Sequence, residues 1–223
     1  QPINDRLADK QIVDGSAFFQ GWVTFFDIIG QGFGCTTAKF FTPFKNGRIA
    51  YFNSPFAFLL GDKRNLALLS QHADDECFDE SERRIIRDHI PWSRNVEDVE
   101  IAIDGRRTPL LAYIREHRAG LVLKKGFGMQ GEQVCLGRSL SVPQWRDCLR
   151  TALLEGGWLV QEYLEPRTFL YQHGEQGMRP HGCVWGTFCF GETYAGAFLR
   201  VAPDTWQGPI NTAQGAMLAL VFE

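Results

Sequence analysis

Two lysines, three glycines and an arginine are the residues of this chain best suited to holding an anion. Leu121, Val122 and Leu123 form a short apolar run; Lys124 and Lys125 follow, and Gly126, Gly128 and Gly131 fall within the next six positions. Glycine has no Cβ to hold the backbone away from a ligand, so such a loop can bring N–H groups close to a phosphate. A lysine at the end of the preceding strand adds a point charge. Taken alone, a glycine loop reads more readily as a hairpin carrying surface lysines. A second apolar strand, Trp158-Leu159-Val160, runs directly into Gln161-Glu162-Tyr163-Leu164-Glu165, and the two stretches together make a stronger case for a site.

These residues need a scaffold, and the flanking sequence supplies one. Ser141-Val142-Pro143-Gln144 has the form of a capping box, predicting a helix that turns Trp145, Leu149, Ala152 and Leu153 inward and stops at Gly156-Gly157. The stretch from 120 to 165 therefore reads as strand, loop, strand, helix, strand. A helix is expected from Thr108 as N-cap, with Pro109 at its first position and Leu110, Leu111 and Ile114 on one face. Another is expected from Glu80 to His89, with Ile85, Ile86 and Ile90 inward and Pro91 as its stop. Residues 166–180 read as a polar loop. A hairpin of GCVWGTFCF and YAGAFLRVA turns at Gly191-Glu192-Thr193, and MLALVFE closes the chain as a strand or helix. Earlier, Trp22–Ile29 is apolar enough for a buried segment, with Asp27 inside it. A short helical piece over 36–44 and a strand over 48–52 follow.

An apolar strand ending in lysine, a glycine loop, a helix and a strand ending in VQEYLEP together resemble the nucleotide lid of ATP-grasp enzymes. N-x-P-x-x-x-LLGDK over 53–63 and RRIIRDHIPWSR resemble the circularly permuted branch that includes glutathionylspermidine synthase-like proteins. The resemblance implies an α+β ATP-grasp-like fold, with an antiparallel-sheet lid packed on a mixed core. Residues 1–62 would belong to the core or substrate side, 63–165 to the lid, and 166–223 to catalytic-core strands.

The activity implied is ATP-dependent ligation of a carboxylate to an amine through an acyl phosphate, with ATP and Mg²⁺ as cofactors. Lys63, Lys124, Gly126, Gly128 and Gly131 would serve the phosphates, and Gln161, Glu162, Tyr163 and Leu164 would present backbone to adenine. Glu165 would accept from the ribose hydroxyls. Arg200 and Asn211, in the pattern G-x-F-x-R-V-A … N-x-x-x-G, would be catalytic. The E-x-N motif that brings metal carboxylates in that branch is absent from the chain, so the metal ligands are unassigned. That absence keeps a non-catalytic nucleotide-binding or scaffold relative open beside the ligase. In a third reading, an interaction protein, the loop is only a hairpin.

Composition bounds the partners. A formal net charge of −3 over 223 residues offers no general attraction to nucleic acid or to an anionic membrane. No apolar run approaches the roughly 20 residues that span a bilayer. Six cysteines without a C-x-x-C pair read as reduced thiols, and hence as a cytoplasmic protein. Small-molecule carboxylates and amines, peptides and polyamines among them, are the expected substrates.

Overall fold

The computed structural model describes residues 11–12, 46, 49–50, 59–103, 105–128, 130–172, 174 and 177–221. The chain divides into two units, Gln1–Gly61 and Asp62–Glu223. In the first, β1 (Gln11–Ile12) pairs in parallel with β2 (Ile49–Ala50). The expectations for Trp22–Ile29, Asp27 and 36–44 lie outside the described residues.

The second unit is α+β, built on antiparallel sheets. Its first half contains α1 (Arg64–Gln71), α2 (Glu80–His89), β3 (Ser93–Asn95), β4 (Glu100–Ile103), β5 (Arg106–Pro109), α3 (Leu110–Glu116), β6 (Leu121–Lys125), β7 (Val134–Leu136), α4 (Val142–Glu155) and β8 (Trp158–Glu162). One four-stranded sheet runs β3-β8-β6-β7, and β4 and β5 form a separate hairpin.

Alternation along β6 sets the two faces of that sheet. Leu121 and Leu123 join Trp158 and Val160 in a core sealed by Leu110, Ile114, Trp145, Leu149 and Ala152 of α3 and α4. Val122 and Lys124 point the other way, opposite Leu136 and Val134 on β7 and Gln161 and Leu159 on β8. The indole Nε1 of Trp145, completely buried, donates to the Ile114 carbonyl at 3.1 Å. The expected capping box of Ser141 with Gln144 forms on α4, and a second, Asp79 with Glu82, starts α2.

The second half is a four-stranded antiparallel sheet ordered β12-β11-β10-β9, made of β9 (Thr168–Gln172), β10 (Met178–Phe190), β11 (Thr193–Pro203) and β12 (Met217–Leu220). The expected hairpin is β10–β11, with a register shift between Thr187 and Cys189.

Several expectations are corrected. Residues 106–109 are a strand, because Arg106–Pro109 pairs with Glu100–Ile103; Pro109 therefore caps α3 from an extended conformation instead of entering it. The polar stretch 166–180 contains β9, which pairs with the first residues of β10. Ile85 is exposed, leaving Ile86 as the buried residue of α2, and Leu153, expected inward on α4, is exposed as well. No helix among the described residues is long and apolar enough to cross a membrane.

Candidate functional site

Between the two four-stranded sheets lies a cavity of about 550 Å³. Its lining includes Val122 and Lys124 of β6, Val134 and Leu136 of β7, Gln161 and Glu162 of β8, and Val184 and Arg200, which face each other across β10 and β11. Lys63, Gly128, Gly131, Tyr163, Leu164, Ile210 and Asn211 complete it.

Lys124 is held from below. Its Nζ donates to Gln161 Oε1 at 2.6 Å; Gln161 Nε2 donates to Ser93 Oγ at 2.9 Å, and Ser93 Oγ to the Pro91 carbonyl at 2.8 Å. The lower links of this chain are buried, with Gln161 6 % exposed and Ser93 0 %, while Lys124 is half-buried. Burial, with repulsion from Lys63 adding to it, lowers the Lys124 ammonium below the ordinary lysine range. Burial also lowers Lys63, against the opposing pull of Asp62.

Lys63 caps the start of α1, and its Nζ reaches the carbonyls of Gly126, at 3.4 Å, and Gly128. The Nε of Arg200 is buried and has no hydrogen-bond partner, while the guanidinium lies 5.5 Å from the Phe198 ring. Among the described residues none of these three cations is ion-paired. Lys125 also lines the cavity, but its ammonium belongs to Glu155 at 3.0 Å. An orphaned guanidinium donor and two crowded ammoniums beside one cavity fit an anion carrying several oxygens.

The strand end at Gln161–Leu164 is anchored on both sides as far as Tyr163. Glu162 N–H donates to the Trp92 carbonyl and Tyr163 N–H to the Gly120 carbonyl, both at 2.8 Å. Leu164, 60 % exposed and lining the cavity, makes no hydrogen bond among the described residues. One open backbone donor and acceptor beside the apolar side chains Val122, Val134 and Leu136 suits the edge of a planar heterocycle.

Of the sequence candidates, Lys63, Lys124, Gly128, Gly131, Gln161, Glu162, Tyr163, Leu164, Arg200 and Asn211 converge on this cavity. Gly126 and Glu165 are not in its lining. Gly126 is packed instead: its N–H donates to the Gly157 carbonyl at 2.9 Å, and a Cβ there would run into Asp62. Gly128 N–H is likewise taken, by the Lys125 carbonyl at 3.1 Å. At these two glycines the loop turns its carbonyls toward Lys63, so neither supplies the N–H cradle the sequence suggests. Glu165 is exposed and pairs with Arg138, whose guanidinium lies 4.8 Å over the Tyr163 ring.

Asn211 contributes through its backbone position, since its Oδ1 caps a short 3-10 turn by accepting from Ala213 N–H at 2.9 Å. The sequence reading missed Ser93 and the apolar walls. The alternation of Val122 with Lys124 on one strand was the available signal for the walls.

The lining acids are Glu132 and Glu162, and no group of three metal-ligating side chains occurs among the described residues. Mg²⁺ at a nucleotide site is usually held by one or two carboxylates together with substrate phosphates and water, and Glu132 and Glu162 are the lining carboxylates that could hold it. No protein-family model and no curated protein matches the chain.

Proposed function

We propose that this cavity binds ATP and that the chain, or a longer protein of which it is the lid-bearing part, is an ATP-dependent carboxylate–amine ligase of the circularly permuted ATP-grasp type. The observation that carries the reading is the convergence of Lys63, Lys124 and Arg200, none of them ion-paired among the described residues, on one apolar-walled cavity. Adenine would lie against Val122, Val134 and Leu136 with its edge on the Leu164 backbone, and the phosphates would extend toward the cations. In the reaction a carboxylate oxygen attacks the γ-phosphorus and the bond to ADP breaks. An amine nitrogen then displaces phosphate from the acyl phosphate and loses a proton. Positive charge held in place around the transferring group is what this chain would contribute. The substrates would be small carboxylates and amines, in a cytoplasmic setting where the five described cysteines stay free.

A second reading, a nucleotide-binding relative without chemistry, is favoured by the absence of the E-x-N motif from the sequence. Calorimetric titration with a non-hydrolysable ATP analogue, with and without Mg²⁺, separates the two. Binding that tightens with Mg²⁺ supports the ligase, and binding indifferent to Mg²⁺ supports the relative. Absence of binding in both titrations overturns the nucleotide assignment.

A further inference from the structure

On the helix side of the β3-β8-β6-β7 sheet, at the end where Leu121 pairs with Glu162, lies a second cavity of about 700 Å³. An aromatic ladder forms one wall: Trp92 and Tyr113 have ring centroids 5.3 Å apart at 58°, and Tyr113 and His117 are 4.2 Å apart at 38°. The Arg94 guanidinium lies 5.3 Å from the Trp92 ring. Its Nη1 donates to Ser70 Oγ at 3.2 Å and to the Ser93 carbonyl at 2.7 Å. Its Nε and Nη2 make no hydrogen bond among the described residues, and no carboxylate there lies within ion-pair distance of it. Two carboxylates, Glu116 and Glu162, also line the cavity, and neither is ion-paired among the described residues.

A half-buried cation without an anion, carboxylates without a cation, and a run of ring faces share one wall system. A ligand that satisfies all three carries a carboxylate for the guanidinium fork, an ammonium for Glu116, which lines this cavity and not the first, and an aromatic ring for the ladder. We propose that this cavity is a binding site for a small aromatic zwitterion of the α-amino acid class. The site shares Glu162 with the cavity assigned to nucleotide but lies on the other face of the sheet, and the proposal does not depend on that assignment.

Calorimetry of the whole chain, without nucleotide, tests it with L-phenylalanine, phenethylamine and 3-phenylpropionate. L-Phenylalanine is expected to bind, and each analogue lacking one charged group to bind about tenfold more weakly or worse, as loss of a charged hydrogen bond requires. Arg94→Gln should abolish the advantage over phenethylamine. Glu116→Gln, an exposed position on the last turn of α3, should weaken L-phenylalanine severalfold and leave 3-phenylpropionate unchanged; it carries the test even if Arg94→Gln does not fold. Equal binding of all three ligands, no binding of L-phenylalanine at millimolar concentration, or an unchanged affinity in Glu116→Gln overturns the proposal.

Discussion

In the cavity between the two sheets Lys124 sits against a neutral amide and is repelled by a second lysine. Lys124→Met should weaken binding of an ATP analogue about tenfold to a hundredfold, the loss expected for a charged hydrogen bond, while circular dichroism stays unchanged. Arg200→Ala should lower turnover more than nucleotide affinity if its buried Nε meets charge that develops in the reaction, and steady-state kinetics beside calorimetry checks the split.

The lowered lysine pKa values have a definite sign. In the free protein Lys124 gives up its proton below the pH at which an unfolded lysine does. The cost of its buried charge is therefore present at low pH and relieved as pH rises, so its contribution favours folding more between its folded value and the ordinary lysine value. A bound polyphosphate restores the ammonium. Nucleotide binding should then take up protons on the alkaline side of neutrality, read by titrating in two buffers of different ionisation enthalpy. The uptake should shrink in Lys124→Met, with the remainder coming from Lys63.

At the level of elements, the turn after β7 is closely packed around Gly137. Gly137 N–H donates to the Leu121 carbonyl at 3.0 Å, and its own carbonyl accepts from Arg118, which also reaches Leu140. A Cβ at 137 would overlap the Arg118 carbonyl and meet the Leu121 oxygen at 2.9 Å, backbone atoms that cannot swing aside. Gly137→Ala should cost about 3 kcal/mol in chemical denaturation. Gly120→Ala, with nothing within 4 Å of the new methyl, should be close to neutral.

The same elements divide the legible from the illegible. The α4 capping box, the β6 and β8 apolar runs and the β10–β11 hairpin rest on local signals, so the sequence alone predicts them. Strand Arg106–Pro109 was not legible, because Thr108-Pro109 carries a helix-start signal and only pairing with Glu100–Ile103 overrides it. At the site, residue types at strand ends pointed to Lys124 and Gln161. The capture of the Gly126 and Gly128 N–H groups by Gly157 and Lys125 depends on contacts that no spacing encodes.

Taken as a whole, the unit from Asp62 to Glu223 brings the sheet carrying Lys124 and the sheet carrying Arg200 together around one cavity, and residues distant in the chain close it. Gln214 Nε2 donates to the Gln130 carbonyl at 3.2 Å. Gly131, at φ +78°, is packed so closely that a Cβ would meet Gln214 Cγ at 3.1 Å and Asn211 and Pro209 at 3.4 Å. The glycine loop is thus already tied across the cavity to the far sheet's connecting segment. On the nucleotide reading this tie is a kinetic toll: a ligand enters and leaves only while it is broken, and the tie is present before and after. Gln214→Ala should accelerate association and dissociation of a fluorescent ATP analogue by a similar factor in stopped-flow traces, with affinity almost unmoved. The loop's closure would then govern how long a nucleotide stays, and the lysines how tightly it is held.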